Sequence, residues 1–407
     1  SVTVIHAGEL LAIPGQPSQR EQTIIIDGER IREVRNGYAD PASIAADATY
    51  IDLSDQFVLP GLMDMHVHLL GELGPNSRGE ALHVTTSMSA LMGAQYARRT
   101  LEAGFTTVRD LGGDPEAIYA LREATAKGWV PGPRIFAAGS ALAATGGHGD
   151  VDGVKAELLD LWTPDTICDG PYDCRRATRK AIKYGADWIK ITATGGVLSD
   201  TATGTDQQMT DDELREIMDT AHALGVRVAA HAHGTNGINA ALRAGVDSID
   251  HGSFLDKESI SLFKKSGAYL VPTLSPGYKV PATMENNPFF TDAIKKKALA
   301  ASEASRKNFR LAVEGGVKIA FGTDSAVTPH GENADEFAMM VEGGMSEMAA
   351  IRSATVIAAE LLQQSDQLGT IEAGKLADLI STGGSPLRNI RELENVQTVI
   401  KAGRRYK

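Results

Sequence analysis

Aromatic residues make up only 5% of this 407-residue chain, cysteine occurs twice, and no apolar run approaches the roughly eighteen residues a membrane-spanning helix requires. Basic residues are in deficit too. Forty Lys and Arg stand against 52 Asp and Glu, a net charge of −12, leaving no basic stripe to neutralise a phosphate backbone. Neither nucleic acid nor a membrane is therefore an expected partner. The densest basic run, Lys295, Lys296 and Lys297, reads as a solvated helix face. Cys168 and Cys174, in TICDGPYDC, are too few for a disulfide framework or a zinc knuckle. They read as two free thiols, with one small disulfide loop as the alternative if the protein is exported. The first fifteen residues lack the basic start and apolar run of a signal peptide. Because the chain opens on Ser1, removal of a leader stays open, so the compartment reads as cytoplasmic, or as periplasmic or secreted after such removal. What is present, 43% hydrophobic and 23% charged residues, describes a globular chain long enough for one large domain carrying a small one.

Across residues 58–365 one cadence repeats: a short apolar or β-branched run, a polar or Gly-rich break, then a helical stretch. The runs read as strands are 57–69, 106–112, 134–139, 187–195, 227–233, 248–253, 268–274 and 317–325. Helices are predicted at Ser89–Ala103, Glu116–Lys127, Cys174–Tyr184 and Asp211–Leu224. The last carries Thr210 as N-cap, Glu213 at its third position and Gly225 as the stop. Eight alternations predict an α/β fold of the (β/α)8 TIM-barrel type. Residues 1–57 and 366–407 read instead as short strands with turns such as Asp27-Gly28, and strands at both ends need partners. The expected arrangement is a small β-sandwich domain built from the two termini beside the barrel.

On such a barrel, chemistry belongs at the C-terminal ends of the strands, and the reactive side chains cluster there. His66 and His68 lie two apart on a strand, so alternation sends both imidazoles to one face, which suits a divalent metal. Lys190 stands at the top of an apolar strand, where burial penalises its charge. Carboxylated by carbon dioxide, its amine becomes an anion able to bridge two cations; the plainer reading pairs it with Asp110 or Asp324. His231 and His251 end successive strands as single donors, and His233 shares the face of His231. The metal is assigned to His231 and a substrate contact to His233. Asp324, after the eighth strand, can bind metal and accept a proton from attacking water, though an Asp after a Gly can also serve only as a helix N-cap.

At these residues the sequence resembles the amidohydrolase superfamily. The order His66, His68, Lys190, His231, His251, Asp324 matches its binuclear ligand pattern, and PGLMDMHVH and LGTIEAGKLADL are similar to its junctions between β-sandwich and barrel. DWIKITATGGVLS, VAAHAHGTNGINAALRAGVDSIDHG and GTDSAVTPHGENADEF resemble the branch of Xaa-Pro dipeptidases, carboxypeptidase-like enzymes and ochratoxin-hydrolysing amidohydrolases. The resemblance implies two divalent ions, usually zinc. His66, His68 and Asp324 would hold one, His231 and His251 the other, with carboxylated Lys190 between them. It also implies a homo-oligomer acting on a small-molecule substrate by removing a C-terminal amino acid from a dipeptide or N-acyl amino acid, ochratoxin A included.

In that chemistry Asp324 relays the proton to the leaving nitrogen. His148, His233 and Tyr278 are placed to stabilise the oxyanion, and His330, Asn333 and Arg109 are candidates for the substrate carboxylate. The loop 145–173 would help form the pocket wall. A lactonase or cyclic-amide hydrolase is the principal alternative. A mononuclear deaminase, which would not need Lys190, and a silent scaffold, which would lack ligands, fit less well.

Overall fold

The computed structural model describes residues 1–201 and 203–407. The chain opens with β1 (Val2–Leu10), β2 (Gln19–Asp27), β3 (Arg30–Asn36) and β4 (Thr49–Pro60). Eight shorter strands follow: β5 (Leu62–Val67), β6 (Phe105–Asp110), β7 (Arg134–Ala137), β8 (Trp188–Thr192), β9 (Arg227–Ala232), β10 (Ser248–His251), β11 (Tyr269–Val271) and β12 (Lys318–Ile319). Seven of them fall within the predicted runs, and β6 begins one residue before its run, at Phe105. The chain closes with β13 (Leu379–Thr382), β14 (Thr398–Lys401) and β15 (Arg404–Arg405).

The eight central strands form an α/β fold with parallel sheets, one ordered β12-β11-β10-β9-β8 and one β5-β6-β7. Isolated backbone bonds join the two sheets at both edges. Leu142 N donates to Lys190 O (2.8 Å) beside β8, and Asp324 N donates to His66 O (2.8 Å) beside β5. Both faces of these strands are covered, which is why they read as apolar runs. In β8, Ile189 and Ile191 join the large apolar cluster with helical residues such as Leu214 and Ile217. Trp188 points the other way, into a second cluster with Ala229 and Tyr269. Lys190 shares the Trp188 face by the two-residue period, so the apolar floor beneath it is part of its environment. The helix Asp211–Ala223 carries the expected capping box between Thr210 and Glu213.

Both termini enter one seven-stranded sheet, β15-β14-β13-β4-β1-β2-β3, whose ladders connect continuously. Its apolar face unites Ile5, Ile24 and Ile26 with Leu379 and Ile400. Gly61 separates β4 from β5, and its N–H donates to Asp378 O (3.0 Å). A Cβ there would lie 2.2 Å from Thr106 Oγ1, so only glycine allows the chain to pass from one sheet to the other against β6.

One local feature departs from the sequence expectation. Cys168 and Cys174 are joined as a disulfide rather than standing as free thiols. The chain turns at Gly170 into the helix Pro171–Tyr184, folding Cys168 back onto the first helical turn with a Cα–Cα distance of 4.9 Å. Glu336, on the helix Asp335–Glu342, is fully buried. Its carboxyl accepts from the N–H groups of Leu274 and Ser275 (2.9 Å for the latter) and from Ser275 Oγ (3.1 Å), fixing the start of the helix Leu274–Thr283. Burial, against the opposing pull of these donors, pushes its pKa up to about 8.

Gly61→Ala is expected to cost about 1–3 kcal/mol through overpacking against Thr106. Combining it with Thr106→Ala should recover part of that loss in a denaturation double-mutant cycle; strict additivity would mean that the close approach is not the cause. For Glu336, the native state keeps a proton that the unfolded chain releases between the ordinary carboxyl pKa and about 8, so this group lowers stability as pH rises through that window. Glu336→Gln removes the effect. The melting-temperature gap between wild type and variant should therefore move in the variant's favour between about pH 5 and about pH 9, and a pH-independent gap would contradict it.

Candidate active site

His66 and His68 leave the end of β5 with their Nε2 atoms 3.2 Å apart. Asp324 Oδ1 lies 3.3 Å from the first and 3.1 Å from the second. What holds the rings in this arrangement comes from behind. His68 Nδ1 faces the carbonyl of Gly112 (2.9 Å), an acceptor only, so the proton sits on Nδ1 and Nε2 presents a lone pair. His66 Nδ1 faces Asp250 Oδ2 (2.7 Å). Burial works to raise the Asp250 pKa, but Arg109 and then His66 overcome it and hold the carboxyl ionised. In the same way His66 and His68 outweigh burial at Asp324 and depress its pKa well below the usual carboxylate range. With each Nδ1 engaged from behind, the two Nε2 atoms and a carboxylate oxygen are turned to one point, a donor set that suits a divalent cation.

His231, His233 and His251 form a second group whose ligand-type atoms lie within 4.8 Å of one another, and His251 also belongs to such a group with His66 and Asp324. His251 Nδ1 contacts Thr273 Oγ1 (2.6 Å), His233 Nδ1 contacts Ser253 Oγ (2.7 Å), and His231 Nε2 lies 3.2 Å from Gly195 O. Burial is the largest cause lowering the pKa of all three, to about 4 for His233 and well below the ordinary value for the others. Neutral imidazoles result, which is the ligating form. Lys190 is buried in the lining of the same cavity and, among the described residues, forms no ion pair, so the predicted pairing with Asp110 or Asp324 is not made. Burial lowers its pKa, opposed by Asp250 and Asp324.

Backbone conformation brings the late strands to this point. His251, Thr273 and Asp324 have φ of 78°, 45° and 60°. Asp250 reaches inward to His66, so plain alternation would turn His251 to the opposite face; the left-handed residue breaks the alternation and lets the imidazole join the cluster.

The cavity has a volume of about 350 Å³. Among the described residues, Lys190 and Asp324 are the Lys, Arg, Asp or Glu side chains in its wall, while Val197, Leu198, Val280, Ala298 and Val327 make the far side apolar. His148 lies in it, its ring stacked on His231 at 4.3 Å, its Nδ1 against Ser199 Oγ and its N–H donating to Gln208 Oε1 (2.9 Å). Burial lowers the His148 pKa to about 3.

Four expected contacts do not reach the cavity. Arg109 is fully buried and committed: Nε donates to Met65 O (2.7 Å), Nη1 to Ser248 Oγ (3.1 Å) and Nη2 to Asp250 (3.1 Å), and its guanidinium covers the Trp188 ring. It cannot meet a substrate carboxylate. His330 has both ring nitrogens engaged, Nε2 with Gly71 O (2.7 Å) and Nδ1 with Ser325 Oγ (3.0 Å). Asn333 Nδ2 donates to Asp64 Oδ2 (2.8 Å). Tyr278 lies beneath Arg306 (4.1 Å), outside the cavity wall.

Sequence reasoning missed Asp250, Asp64 and Lys297. Asp250 and Asp64 are carboxylates inside apolar strands, and that oddity is their signal. Asp64 accepts from the His66 N–H (3.0 Å) and from Thr323 Oγ1 (2.6 Å), tying β5 to the segment before Asp324. Lys297, read as solvated, instead donates to three carbonyls of the 196–201 turn.

Comparison with known proteins identifies the family. The Amidohydrolase family model matches residues 57–406. Ochratoxinase of Aspergillus niger is 33% identical over 431 aligned positions, covering 100% of this chain and 87% of that protein. A solved structure of a Xaa-Pro dipeptidase with methionine bound in its active site is 44% identical, with a TM-score of 0.95 and 100% of both chains covered. A prolidase complexed with n-methylphosphonate-l-proline is 32% identical, with a TM-score of 0.90 and 100% of both chains covered. With almost the whole length matched, the chain belongs to the amidohydrolase family and is a hydrolase acting on amide bonds.

Proposed function

We propose that the protein is a metal-dependent hydrolase releasing a C-terminal amino acid from a dipeptide or N-acyl amino acid, with ochratoxin A among its candidate substrates. The observation that carries this reading is the convergence of His66, His68, His231, His251 and Asp324 around buried Lys190 at one end of the parallel strands. In this reading residues 58–365 are a (β/α)8 barrel and residues 1–57 and 366–407 a small β domain beside it. The backbone bonds at both sheet edges support the barrel.

His66, His68 and Asp324 would hold one divalent ion, zinc by preference, and His231 and His251 a second, with Lys190 between them as a carbamate. The neutral amine of Lys190 attacks carbon dioxide and releases a proton, leaving an anion where an ammonium would repel cations. Burial that lowers its pKa favours the reactive neutral amine. When bound, such ions lower the pKa of water and polarise a carbonyl, supplying nucleophile and electrophile at neutral pH.

The remaining work falls to this chain's own groups. Asp324, ionised by its imidazole neighbours, accepts the proton of the attacking water and delivers it to the leaving nitrogen, which cannot depart as an amide anion. His233, anchored through Ser253, and His148 are the side chains available to donate to the developing oxyanion. The apolar far wall suits a neutral, hydrophobic acyl group or side chain. Since Arg109, His330 and Asn333 are engaged elsewhere, the carboxylate of the departing residue is left to other polar groups of the cavity wall.

A library of dipeptides and N-acyl amino acids, ochratoxin A included, tests the reading. Turnover of esters or lactones with failure of every amide would replace it with the lactonase alternative. Asp324→Asn should lower kcat by about 10²–10⁴-fold with the fold intact, measured by steady-state kinetics beside circular dichroism. Metal analysis should find close to two ions per chain in wild type, and Lys190→Ala should retain about one or fewer and lose turnover. A Lys190→Ala protein that kept both ions and its activity would remove the bridging role.

A further inference from the structure

The segment 71–85 leads from the end of β5 to the helix Thr86–Glu102, and its packing is light. No residue from Leu70 to Val84 is buried, and a Cβ added at Gly71, Gly74 or Gly79 would meet nothing within 4 Å. A stretch with so few buried contacts opens at low cost. Its base is anchored all the same: the Leu73 N–H donates to Ala326 O (2.7 Å), the His330 N–H to Glu72 Oε2 (2.9 Å), and His330 Nε2 contacts Gly71 O (2.7 Å). Beyond that base Arg78, on the short helix Ser77–Glu80, reaches across. Its Nη1 donates to Asp200 Oδ2 (3.0 Å), its Nη2 to Phe289 O (3.3 Å), and its guanidinium lies over the Phe289 ring (4.9 Å). Among the described residues no other polar bond joins 71–85 to 196–201 or to 284–291.

What Arg78 meets is firmly held. Asp200 Oδ1 accepts from Thr291 Oγ1 (2.7 Å), the N-cap of the helix Asp292–Glu314, and Lys297 of that helix holds the 196–201 turn by its carbonyls. Leu73, Val197, Leu198, Phe289 and Val327 belong to one apolar cluster, and Val197, Leu198 and Val327 are also cavity wall. From the inside outward the order is cavity, apolar layer, then the Arg78–Asp200 pair, whose side chains are 42% and 29% exposed. An exposed pair is a weak tie that salt screens. A weak tie outside an apolar seal suits a part that opens and closes again.

We propose that residues 74–84 are a flap beside the cavity mouth and that Arg78 latches it shut by pairing with Asp200 and capping Phe289. This rests on the reading of the cavity as the active site. Opening turns the tip about Gly74, lifts it off Asp200 and Phe289, and uncovers the apolar layer next to Val197 and Leu198 for a substrate to enter and an amino acid to leave. Closing shuts bulk water out of the site. Arg78→Gln and Asp200→Asn each remove one charge of the latch; Arg78→Lys keeps it.

Two measurements test it. In the metal-loaded protein, the rate at which an excess of chelator strips the metal reports access to the cavity. Arg78→Gln and Asp200→Asn should each raise that rate about threefold or more, the double variant should exceed neither, and Arg78→Lys should stay near wild type. Raising sodium chloride to about 1 M should speed stripping of wild type more than of either charge-removing variant. The second measurement is chymotrypsin cleavage after Leu82, a residue of the flap that is 54% exposed. Cleavage should be faster in both charge-removing variants, by a similar factor, with metal present or removed. Rates unchanged in either variant, additive effects in the double variant, or the same salt response in all forms would each overturn the proposal. If wild type holds no metal, the functional reading fails while cleavage after Leu82 still judges the latch.

Discussion

Everything in the active site depends on keeping two imidazole Nε2 atoms close together and turned to one point. The structure does this by engaging each Nδ1, with a backbone carbonyl for His68 and the Asp250 carboxylate for His66. Asp250 can remain charged in that interior only because Arg109 lies beside it, and Arg109 in turn is satisfied by Met65, Ser248 and the face of Trp188. A buried ion pair is weak evidence for stability in general, yet here it sets the tautomer and direction of a ring. The cation expected to greet the substrate belongs to the floor of the site.

Backbone conformation is the second constraint. The segments at β10, β11 and β12 each place a non-glycine residue in the left-handed region, and all three residues belong to the site or touch it. Such residues persist only where surrounding contacts over-determine them. Thr273 is bonded to His251, and the helix that follows it is held by Glu336. Asp324 is anchored by its own N–H on His66 O. The irregular ends of three strands are thus as firmly built as the strands themselves.

How much of this the sequence disclosed follows from the range of the forces involved. Period-two alternation is local, so the eight runs and the shared face of His66 and His68 are readable from spacing alone. Capping is local too, and Thr210 with Glu213 behaves as its chemistry dictates. The free-thiol reading fails because whether Cys168 meets Cys174 depends on the turn at Gly170. Chain position also fails to give side-chain direction. His330 and Asn333 follow the last strand, as site residues would, but face Gly71, Ser325 and Asp64. Arg109 meets Asp250 across 141 residues, a pairing no spacing rule contains. Lys297 looked like its neighbours in the triplet because only the distant 196–201 turn distinguishes it.

The sheet that joins the termini has a consequence for biosynthesis. Ser381 bonds to Gln56 across 325 residues, and β13 pairs with Phe57–Pro60 of β4. While the chain is being made, β1 to β4 can associate as soon as they leave the ribosome, but the outer edge of β4, with Phe57, Val58 and Leu59, has no partner until the last tenth of the polypeptide emerges. An unpaired apolar edge is a template for joining other chains. Closing it late is also slow, since a very long loop must be brought together first. Association of half-made chains through this edge is therefore the expected hazard during synthesis, and slowing initiation or raising chaperone capacity is expected to lessen it.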